Sequence, residues 1–456
     1  MTVQNNRVLT GPIISTFFYY VIPSLFGLLA LTTANLVDGV FVGNYIGGQA
    51  LAAVSLLLPY ITLLVAISLM LAIGGVVSAG KYLGEGKKQS ASAVFSKILM
   101  VAVSVNVFLA MFSYVAQPIL YLILNVPVHI RPLVNEYFDV IRWVFILQFS
   151  SMVLYYFVRI DGHPILGTWA LIAGAIINIL LDGLFIYYLQ MGLAGAAYAT
   201  AIAQVVQCLV LLTFFSSRRR TLQFSFKQSE WISVVRIAYN GLSEFVNEIS
   251  IGIVFLVLNW LLIARLGTDG VAAFSVVNYV TFLSVMVYYG VADALHLLVS
   301  QNFGAKNNAR MKRFFYTALC CVTMIGGILV LMLIFAQSLL IAAFLNDEDT
   351  QIAELVGHIM MLVWPIFLVN GVNILICSYF TATHKAMLSA CISACRSIIM
   401  PVVMLLILYV VLYYSPLFDA SPSNFLFLIA LPAAEWLALF LSLAYIYLYR
   451  QKIFME

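Results

Sequence analysis

Twelve stretches of the chain are apolar over a length that can cross a lipid bilayer. A membrane-spanning helix needs about 20 mainly apolar residues. The stretches cover residues 13–44, 51–80, 96–122, 134–158, 165–190, 194–216, 237–264, 271–299, 314–343, 353–380, 386–414 and 424–448. Of 456 residues, 64% are hydrophobic and 9% are charged, against roughly 25% charged in an average soluble domain. The sequence therefore predicts an all-α integral membrane protein with twelve transmembrane helices.

The basic residues are distributed unevenly between the two ends of these spans. Of the 22 Lys and Arg residues, 18 fall at one end, if the loops alternate between the sides of the membrane. Arg131 and Arg265 fall at the opposite end, while Arg142 and Arg396 lie within spans. Because loops rich in Lys and Arg stay in the cytoplasm, we expect a multi-pass protein of the cell (inner or plasma) membrane with both termini cytoplasmic. This bias accounts for the net charge of +4 without a nucleic-acid partner.

The sequence gives no sign of a processed leader or of a resident metal. No charged N-terminal region is followed by a short apolar core and a small-residue cleavage site, so we expect the first span to be retained. The six cysteines fall in or beside apolar runs, which is typical of core residues rather than of disulfide bonds or metal ligands. We expect no cofactor, and a chain that works as a monomer.

An internal repeat divides the chain into two halves. At one fixed offset, YIGGQALAAVSLLLPY aligns with RLGTDGVAAFSVVNYV and pairs Gly47 with Gly267, while KYLGEGKK aligns with QNFGAKNN and pairs Gly84 with Gly304. Two matched segments in the same order indicate a duplication. The predicted units are an N-lobe (1–220), a cytoplasmic linker (221–236) and a C-lobe (237–456).

Each predicted lobe holds six spans, so both lobes enter the membrane in the same orientation. Such repeats are related by an axis along the membrane normal, and in transporters built this way the substrate passes between two halves that rock against each other. The repeat therefore favours a transporter with two pseudo-symmetric six-helix lobes. A duplicated scaffold without transport is the alternative, since a fold alone does not fix a function.

Two acidic residues lie well inside spans of the N-lobe. A carboxylate at the centre of a spanning helix costs about 2.5 to 3.5 kcal/mol, so such a residue is a functional candidate. Asp38 follows Asn35 and Asp182 follows Asn178, at spacings that share a helix face. The regular rise of an α-helix places both acids at one depth in the outer half of the membrane. We expect the site to bind and release a proton at physiological pH, or to hold Na⁺ on the same oxygens.

The repeat offers an internal comparison for these acids. At the repeat offset, Asp38 corresponds to Leu258, and the counterparts of Asp182 near Met400 to Leu405 are apolar. A purely architectural requirement would be expected in both lobes. The alternative is that each acid caps a loop or pairs with a basic residue.

Other ionisable residues form a second group of candidates for contact with substrate. Glu244 and Glu248 are one turn apart near the start of the seventh span, where a solvated helix start is the alternative. Asp293 and His296 share a face near the inner end of the eighth span, and His296 is a candidate for titration near neutrality, with a packing role as the alternative. Arg396 lies inside the C-lobe and needs an anionic or carbonyl partner.

A proline and a possible ion pair complete the candidates. Pro23 interrupts the first span, where it removes a backbone donor and predicts a kink, either static or acting as a hinge. Glu435 is a candidate partner for Arg396, which the sequence alone cannot establish.

The chain resembles the multidrug and toxic compound extrusion (MATE) transporters over nearly its whole length, and the DinF-like branch in particular. The resemblance rests on the order and spacing of several segments, namely Pro23, LVDGVFVGNYIGGQALAAVS, RIDGHP, NILLDGLFIYYLQMGLAGAAYAT, GLSEF, GVAAFS and SQNFGA. It implies two six-helix lobes around a central cavity, and export of organic cations driven by H⁺ or Na⁺. It further implies a coupling site at Asp38, Asn178 and Asp182, and bending of the first helix at Pro23.

Two departures from the family pattern concern the C-lobe. His296-Leu297 stands where many relatives carry Gln-Pro, so the eighth helix is expected to bend differently. The tenth span has no acid after Glu354, so the second cation site of the NorM-like branch is not expected here.

Together, the sequence features and the family resemblance predict an antiporter that exports lipophilic, mostly cationic drugs or toxins by alternating access. Its transport is expected to be coupled to H⁺ in preference to Na⁺. A flippase for lipid-linked oligosaccharides is the first alternative, but its diphosphate cargo requires several cavity cations and Arg396 is the sole clear one. A membrane enzyme is the second, but no catalytic motif appears near the central spans.

Overall fold

The computed structural model describes residues 3–342, 350–413 and 425–448, which form a bundle of helices. Eleven single helices and one bent pair are long and apolar enough to cross a membrane. In chain order these spans are α1 Ile13–Ile46, α2 Gly48–Gly84, α3 Lys88–Val115, α4 Arg131–Ile160, α5 Pro164–Tyr188, α6 Gly192–Ser216, α7 Leu242–Gly267, α8 Gly270–Gly304, α9 Asn308–Phe335, α10 Gln351–Val363 with Ile366–Ala382, α11 Ala386–Leu412 and α12 Leu426–Leu448. The predicted twelve-span, all-helical fold is confirmed.

Some predicted span ends are wrong. The third span begins at Lys88 rather than 96 and ends at Val115, because Pro118 starts a separate short helix, Gln117–Ile123. The seventh span begins at Leu242 rather than 237, because the short helix Ser233–Asn240 ends at Gly241. The ends predicted at 343, 414 and 424 lie outside the described residues, as do the basic residues Arg450 and Lys452.

Backbone conformation repeats at the sequence offset. Gly47, between α1 and α2, and Gly267, at the end of α7, both have positive φ, of 118° and 64°. Gly86 and Lys306, in the loops after α2 and α8, also have positive φ, of 76° and 57°. The members of each pair are separated by the repeat offset, so the two halves turn at equivalent positions. Positive φ favours glycine, which explains the glycines at three of these four turns.

The apolar core divides by depth in the bundle. We call the end that carries loops 85–87, 161–163 and 305–307 the inner end, which is the end predicted to face the cytoplasm. There, one core contains side chains from both halves, such as Phe157 and Leu298. Towards the outer end there are separate cores, one around Phe138 in the first half and one around Leu262 in the second. The halves are therefore packed together at the inner end and have separate cores at the outer end.

Helices α2 and α8 cross at the inner end through a pair of glycines. A Cβ atom on Gly84 would lie 1.9 Å from the carbonyl oxygen of Gln301, and a Cβ atom on Gly304 would lie 1.9 Å from the carbonyl oxygen of Lys81. Lys81 and Gln301 are themselves counterparts at the repeat offset, so the crossing follows the pseudo-symmetry. The Gln301 side chain also donates a hydrogen bond to the carbonyl oxygen of Ile160, at 3.0 Å. This bond joins α8 to α4 beside the crossing.

The segment between the halves is held against the inner end of the first half. Buried Asp161 accepts hydrogen bonds from the backbone N–H groups of Thr221 (2.8 Å) and Leu222 (3.2 Å). The Ser96 hydroxyl accepts from the N–H of Ser225 (3.0 Å), and Lys97 donates to the Ser233 hydroxyl (3.0 Å). Residues 221–233 thus follow α3 and the loop between α4 and α5.

Candidate functional site

Helices α1 and α5 approach each other closely around Pro23. The Thr168 hydroxyl of α5 donates to the carbonyl oxygen of Pro23, at 2.7 Å. A Cβ atom on Gly27 would lie 2.9 Å from a methyl carbon of Leu171, so the absent side chain at Gly27 allows the helices to touch. The predicted kink position of α1 is therefore in direct contact with α5.

Further along the same pair of helices, the structure brings Asp38 and Asp182 together. The two carboxyl groups lie close enough to interact electrostatically. Asp182 is fully buried, and neither of its carboxyl oxygens has a hydrogen-bond partner among the described residues. The Oδ1 atom of Asp38 is likewise buried and unpartnered within that part of the chain. Because a buried carboxylate without donors is costly, the pair is suited to binding a proton or a cation.

The two predicted amides differ in their surroundings. Asn178 is buried, with 8% of its surface exposed, and its Nδ2 atom has no hydrogen-bond partner in the described ranges. It therefore lies one turn before Asp182 with unused hydrogen-bonding capacity. Asn35 is exposed, so its amide is not buried beside Asp38 in this conformation.

Tyr137 of α4 is part of this site, although no sequence pattern singles it out. The side chain is buried and interacts electrostatically with both Asp38 and Asp182. A tyrosine hydroxyl can donate a hydrogen bond to a carboxylate and can also accept one from a protonated carboxyl group. Tyr137 lies among polar residues, next to Glu136 and close to Asp139, so a candidate partner could be found only from the depth shared by α1, α4 and α5.

Both acids are followed by π-helical turns. One occupies Val42–Ile46 at the end of α1, and another occupies Gly183–Tyr188 at the end of α5, directly after Asp182. Tyr45 and Tyr187 from these turns meet edge to face, with ring centroids 5.1 Å apart. Such turns are frequent at functional sites, and here they place an aromatic contact on the outer side of the carboxyl pair.

Asp293 connects the two halves rather than standing free in a cavity. Its Oδ2 atom lies 3.4 Å from Nη1 of Arg159 and accepts a hydrogen bond from the Tyr156 hydroxyl at 3.1 Å. Arg159 also donates through Nη2 to the Ser24 hydroxyl, at 2.8 Å. Ser24 follows Pro23, so a continuous polar chain runs from the proline of α1 through α4 to α8 of the other half.

Two other predicted residues lie near this chain. Oε1 of Glu244 lies 3.9 Å from Nε2 of His296. His296 is 2% exposed, and both ring nitrogens lack hydrogen-bond partners among the residues that the structure describes. Glu248 is half-buried one turn above Glu244. The start of α7 and the inner part of α8 therefore form a second group of buried ionisable side chains.

Arg396 is held inside the C-terminal half by acid and amide groups. Its Nη1 atom lies 3.6 Å from Oε1 of Glu435, and its Nη2 atom donates to Oδ1 of Asn247 at 3.1 Å. Asn373 donates to the other carboxyl oxygen of Glu435 at 2.6 Å. Glu435 is thus the partner of Arg396 that was considered from sequence, and the ion pair is buried.

Comparisons with known proteins identify the family of this chain. A sequence profile described as MatE matches residues 23–184 and again residues 245–407. The two matches repeat the duplication seen in the sequence, and together they cover most of the chain. The chain belongs to the MatE family of membrane transporters. Members of this family are transporters rather than enzymes.

Individual relatives agree with this MatE assignment. The chain is 23% identical over 380 residues to the multidrug export protein MepA of Staphylococcus haemolyticus, a match covering 81% of this chain and 82% of the relative. A crystal structure of MATE in complex with MaL6 superposes with a TM-score of 0.90 at 21% identity, covering 99% of this chain and 100% of that one. An outward-facing multidrug resistance MATE transporter of the MOP superfamily superposes with a TM-score of 0.88 at 21% identity, covering 98% and 97%.

Proposed function

We propose that this MatE protein is a multidrug exporter that couples the outward movement of lipophilic cations to the inward movement of protons, and that it acts as a monomer in the cell membrane. The observation that carries the proposal is the buried pair Asp38 and Asp182, which interact with each other and have unpartnered carboxyl oxygens within the described part of the chain. Two like charges in a buried site cannot both stay ionised cheaply. Binding of a proton relieves that repulsion.

The coupling step follows from the position of the pair on α1 and α5. Protons from the outside neutralise Asp38 and Asp182, and α1 rearranges about Pro23 once the repulsion between the carboxyl groups is removed. Release of those protons to the cytoplasm restores the charged site. Each proton driven inward by a potential of about 100 mV supplies about 2.3 kcal/mol, to which the pH difference adds.

The shared core at the inner end and the separate cores at the outer end correspond to an outward-facing state, given the predicted orientation. To open inwards, the protein must separate Arg159 from Asp293 and the glycines of α2 and α8 from the opposing backbone. The polar chain from Ser24 through Arg159 to Asp293 links the α1 proline to that interface. We infer that rearrangement of α1 weakens the ion pair between the halves.

Lipophilic cations are the favoured substrates because the buried acids outnumber the available cations. Glu244 and Glu248 are buried or half-buried carboxyl groups without a fixed Arg or Lys partner among the described residues. Arg159 and Arg396, in contrast, are already paired with Asp293 and Glu435. This pairing argues against the alternative of a flippase for lipid-linked diphosphates, whose cargo needs unpaired cations. Aromatic and Met side chains along the substrate path between the halves would bind cations of varied shape.

Sodium is the alternative coupling ion. The oxygens of Asp38, Asn178 and Asp182 are the ligand type that a hard cation prefers. Protons are favoured because the candidate ligands are few: a Na⁺ ion needs several oxygen ligands, whereas a single unpartnered carboxyl oxygen is enough for a proton.

The test is ethidium transport by purified protein in liposomes, with a pH gradient or a Na⁺ gradient imposed separately. Asp38→Asn and Asp182→Asn should reduce proton-driven transport to the level of empty liposomes. Glu85→Gln removes a carboxylate of the same half that forms only a surface pair with Lys87 and should leave transport unchanged. Wild-type rates in both acid variants would contradict the assignment of the coupling site. Transport that is driven only by a Na⁺ gradient would contradict proton coupling. Absence of transport under either gradient would contradict cation export.

A further inference from the structure

A cavity of about 890 Å³ opens at the inner end of the second half, away from the carboxyl pair. It lies between the short helix Ser233–Asn240, the loop before α11, and the facing parts of α11 and α12. Ile392, Cys395 and Leu441 contribute apolar side chains to its wall. The part of the cavity between α11 and α12 is therefore apolar, as a binding site for an acyl chain must be, and we call it the apolar slot.

The mouth of the cavity is cationic. Lys81, Arg236 and Lys385 line it, and no carboxylate is among the described residues that do so. His384 also lines it, but burial and the neighbouring Lys81 lower the pKa of this imidazole to about 4, so it is neutral at cytoplasmic pH. Three permanently charged basic side chains among the lining residues favour an anion over a cation.

The short helix beside the mouth indicates the depth at which the cavity opens. Ile232, just before the helix, is 81% exposed and Val235 is 66% exposed, while Ile237 and Asn240 on the other side are buried against the bundle. Exposed apolar side chains next to Arg236 are typical of a helix lying in the plane of the membrane interface. The mouth of the cavity then lies at the level of the lipid headgroups.

We propose that this cavity binds an anionic phospholipid of the inner leaflet. The headgroup phosphate lies between Arg236, Lys385 and Lys81, and one acyl chain occupies the apolar slot between α11 and α12. An anion and a chain on one molecule satisfy both parts of the cavity at the depth where it opens. Basic pockets between spanning helices on the cytoplasmic side are a known mode of headgroup recognition.

The lipid site includes both halves of the protein. Lys81 belongs to α2, and its carbonyl oxygen is the atom that opposes Gly304 at the helix crossing, whereas the other lining residues named here belong to the second half or to the helix before it. A headgroup in contact with Lys81 therefore requires the halves to be packed at the inner end. If the proposed transport cycle holds, the lipid favours the outward-facing state.

The binding experiment is native mass spectrometry of the purified full chain with phosphatidylglycerol and, separately, phosphatidylcholine of the same acyl chains. Wild type should retain phosphatidylglycerol preferentially. Arg236→Gln and Lys385→Gln should each weaken its binding by about fivefold, the contribution of one basic side chain near an anionic lipid surface. The matched control Lys312→Gln removes an exposed charge of the same end of the bundle and should have no effect. Equal retention of both lipids, or equal losses in the control, would overturn the proposal.

Two further arms separate a lipid from a free anion. Inorganic phosphate at millimolar concentration should not displace phosphatidylglycerol, because it cannot fill the apolar slot. Cys391→Trp places a large ring in the cavity at an exposed position and should lower lipid retention without any change of charge. Displacement by phosphate, or full retention in the Cys391 variant, would show that no acyl chain is bound. These readouts do not depend on transport, so they stand or fall separately from the proposed function.

Discussion

At the residue scale, Asp161 is a carboxyl group of the inner loops that is both buried and hydrogen-bonded. It lies between α4 and α5, outside the spans, and accepts the N–H groups of Thr221 and Leu222. Burial raises its pKa from the ordinary value of 3.8 to about 7, although the two backbone donors act in the opposite direction. This single group therefore makes the attachment of residues 221–233 sensitive to the pH at the inner end.

The sign of the pH effect follows from the raised pKa of Asp161. Between about pH 4 and pH 7 the folded chain holds a proton that the unfolded chain releases, so the group contributes stability at low pH and loses it as pH rises through 7. The loss is at most about 1.4 kcal/mol per pH unit. We expect the thermal midpoint of wild type to fall more steeply than that of Asp161→Asn between pH 5 and pH 8.

Tryptophan fluorescence of the protein in detergent measures this difference. Glu85→Gln is the control, because it removes a carboxylate at the same end that forms only a surface pair with Lys87. The thermal midpoint of Glu85→Gln should depend on pH in the same way as that of wild type. Parallel curves for wild type and Asp161→Asn would mean that Asp161 does not titrate in this range.

At the element scale, α1 combines a proline with contacts that hold it in place. Thr168 bonds the carbonyl of Pro23, and Arg159 bonds Ser24, so the region around the proline is tied to α5 and α4 at once. A proline in a helix interior removes a backbone hydrogen bond. The helix is therefore weakened where its contacts with two neighbours can be exchanged.

We expect Pro23→Ala to slow ethidium transport severalfold without lowering the amount of folded protein, because a restored hydrogen-bond ladder resists rearrangement of α1. Pro59→Ala is the matched control, since Pro59 also lies inside a span of the same half but does not adjoin the polar chain to Arg159. Transport rates of the two variants in liposomes provide the measurement. Equal rates in both variants would show that the proline of α1 has no special role.

At the scale of the whole molecule, the closed inner end depends on two glycines. A methyl group at Gly84 or Gly304 would lie 1.9 Å from an opposing carbonyl oxygen, a distance at which the backbones must separate. Gly327, in contrast, lies inside α9, and a Cβ atom there would meet nothing within 4 Å. The absence of side chains at Gly84 and Gly304 is therefore what allows α2 and α8 to close the inner end.

Gly84→Ala and Gly304→Ala should each shift the population towards a state that is open at the inner end. Spin labels at the exposed, repeat-related positions Lys88 and Asn308 report the distance between the halves in a background without native cysteines. Both variants should give a longer mean distance than wild type, and Gly327→Ala should leave it unchanged. An unaltered distance in the glycine variants would mean that the crossing does not limit closure.

Much of the fold and part of the site could be predicted from the sequence. The spans follow from apolar length, because lipid requires every backbone group to be satisfied within a helix. The duplication was visible at Gly47 and Gly267, and the positive φ that both adopt in the structure explains why each is a glycine. Asp38 and Asp182 stood out because charge in lipid is costly, and their shared depth followed from the helical rise.

The sequence by itself determined the class of protein, the repeat and the buried acids, because these depend on composition and on spacing along single helices. Only the tertiary structure decided which side chains meet across helices: Tyr137 at the carboxyl pair, Arg159 with Asp293 between the halves, and Arg396 with Glu435. Such contacts depend on how helices rotate and cross, and side-chain packing between distant segments fixes that rotation. A periodic apolar pattern leaves it open.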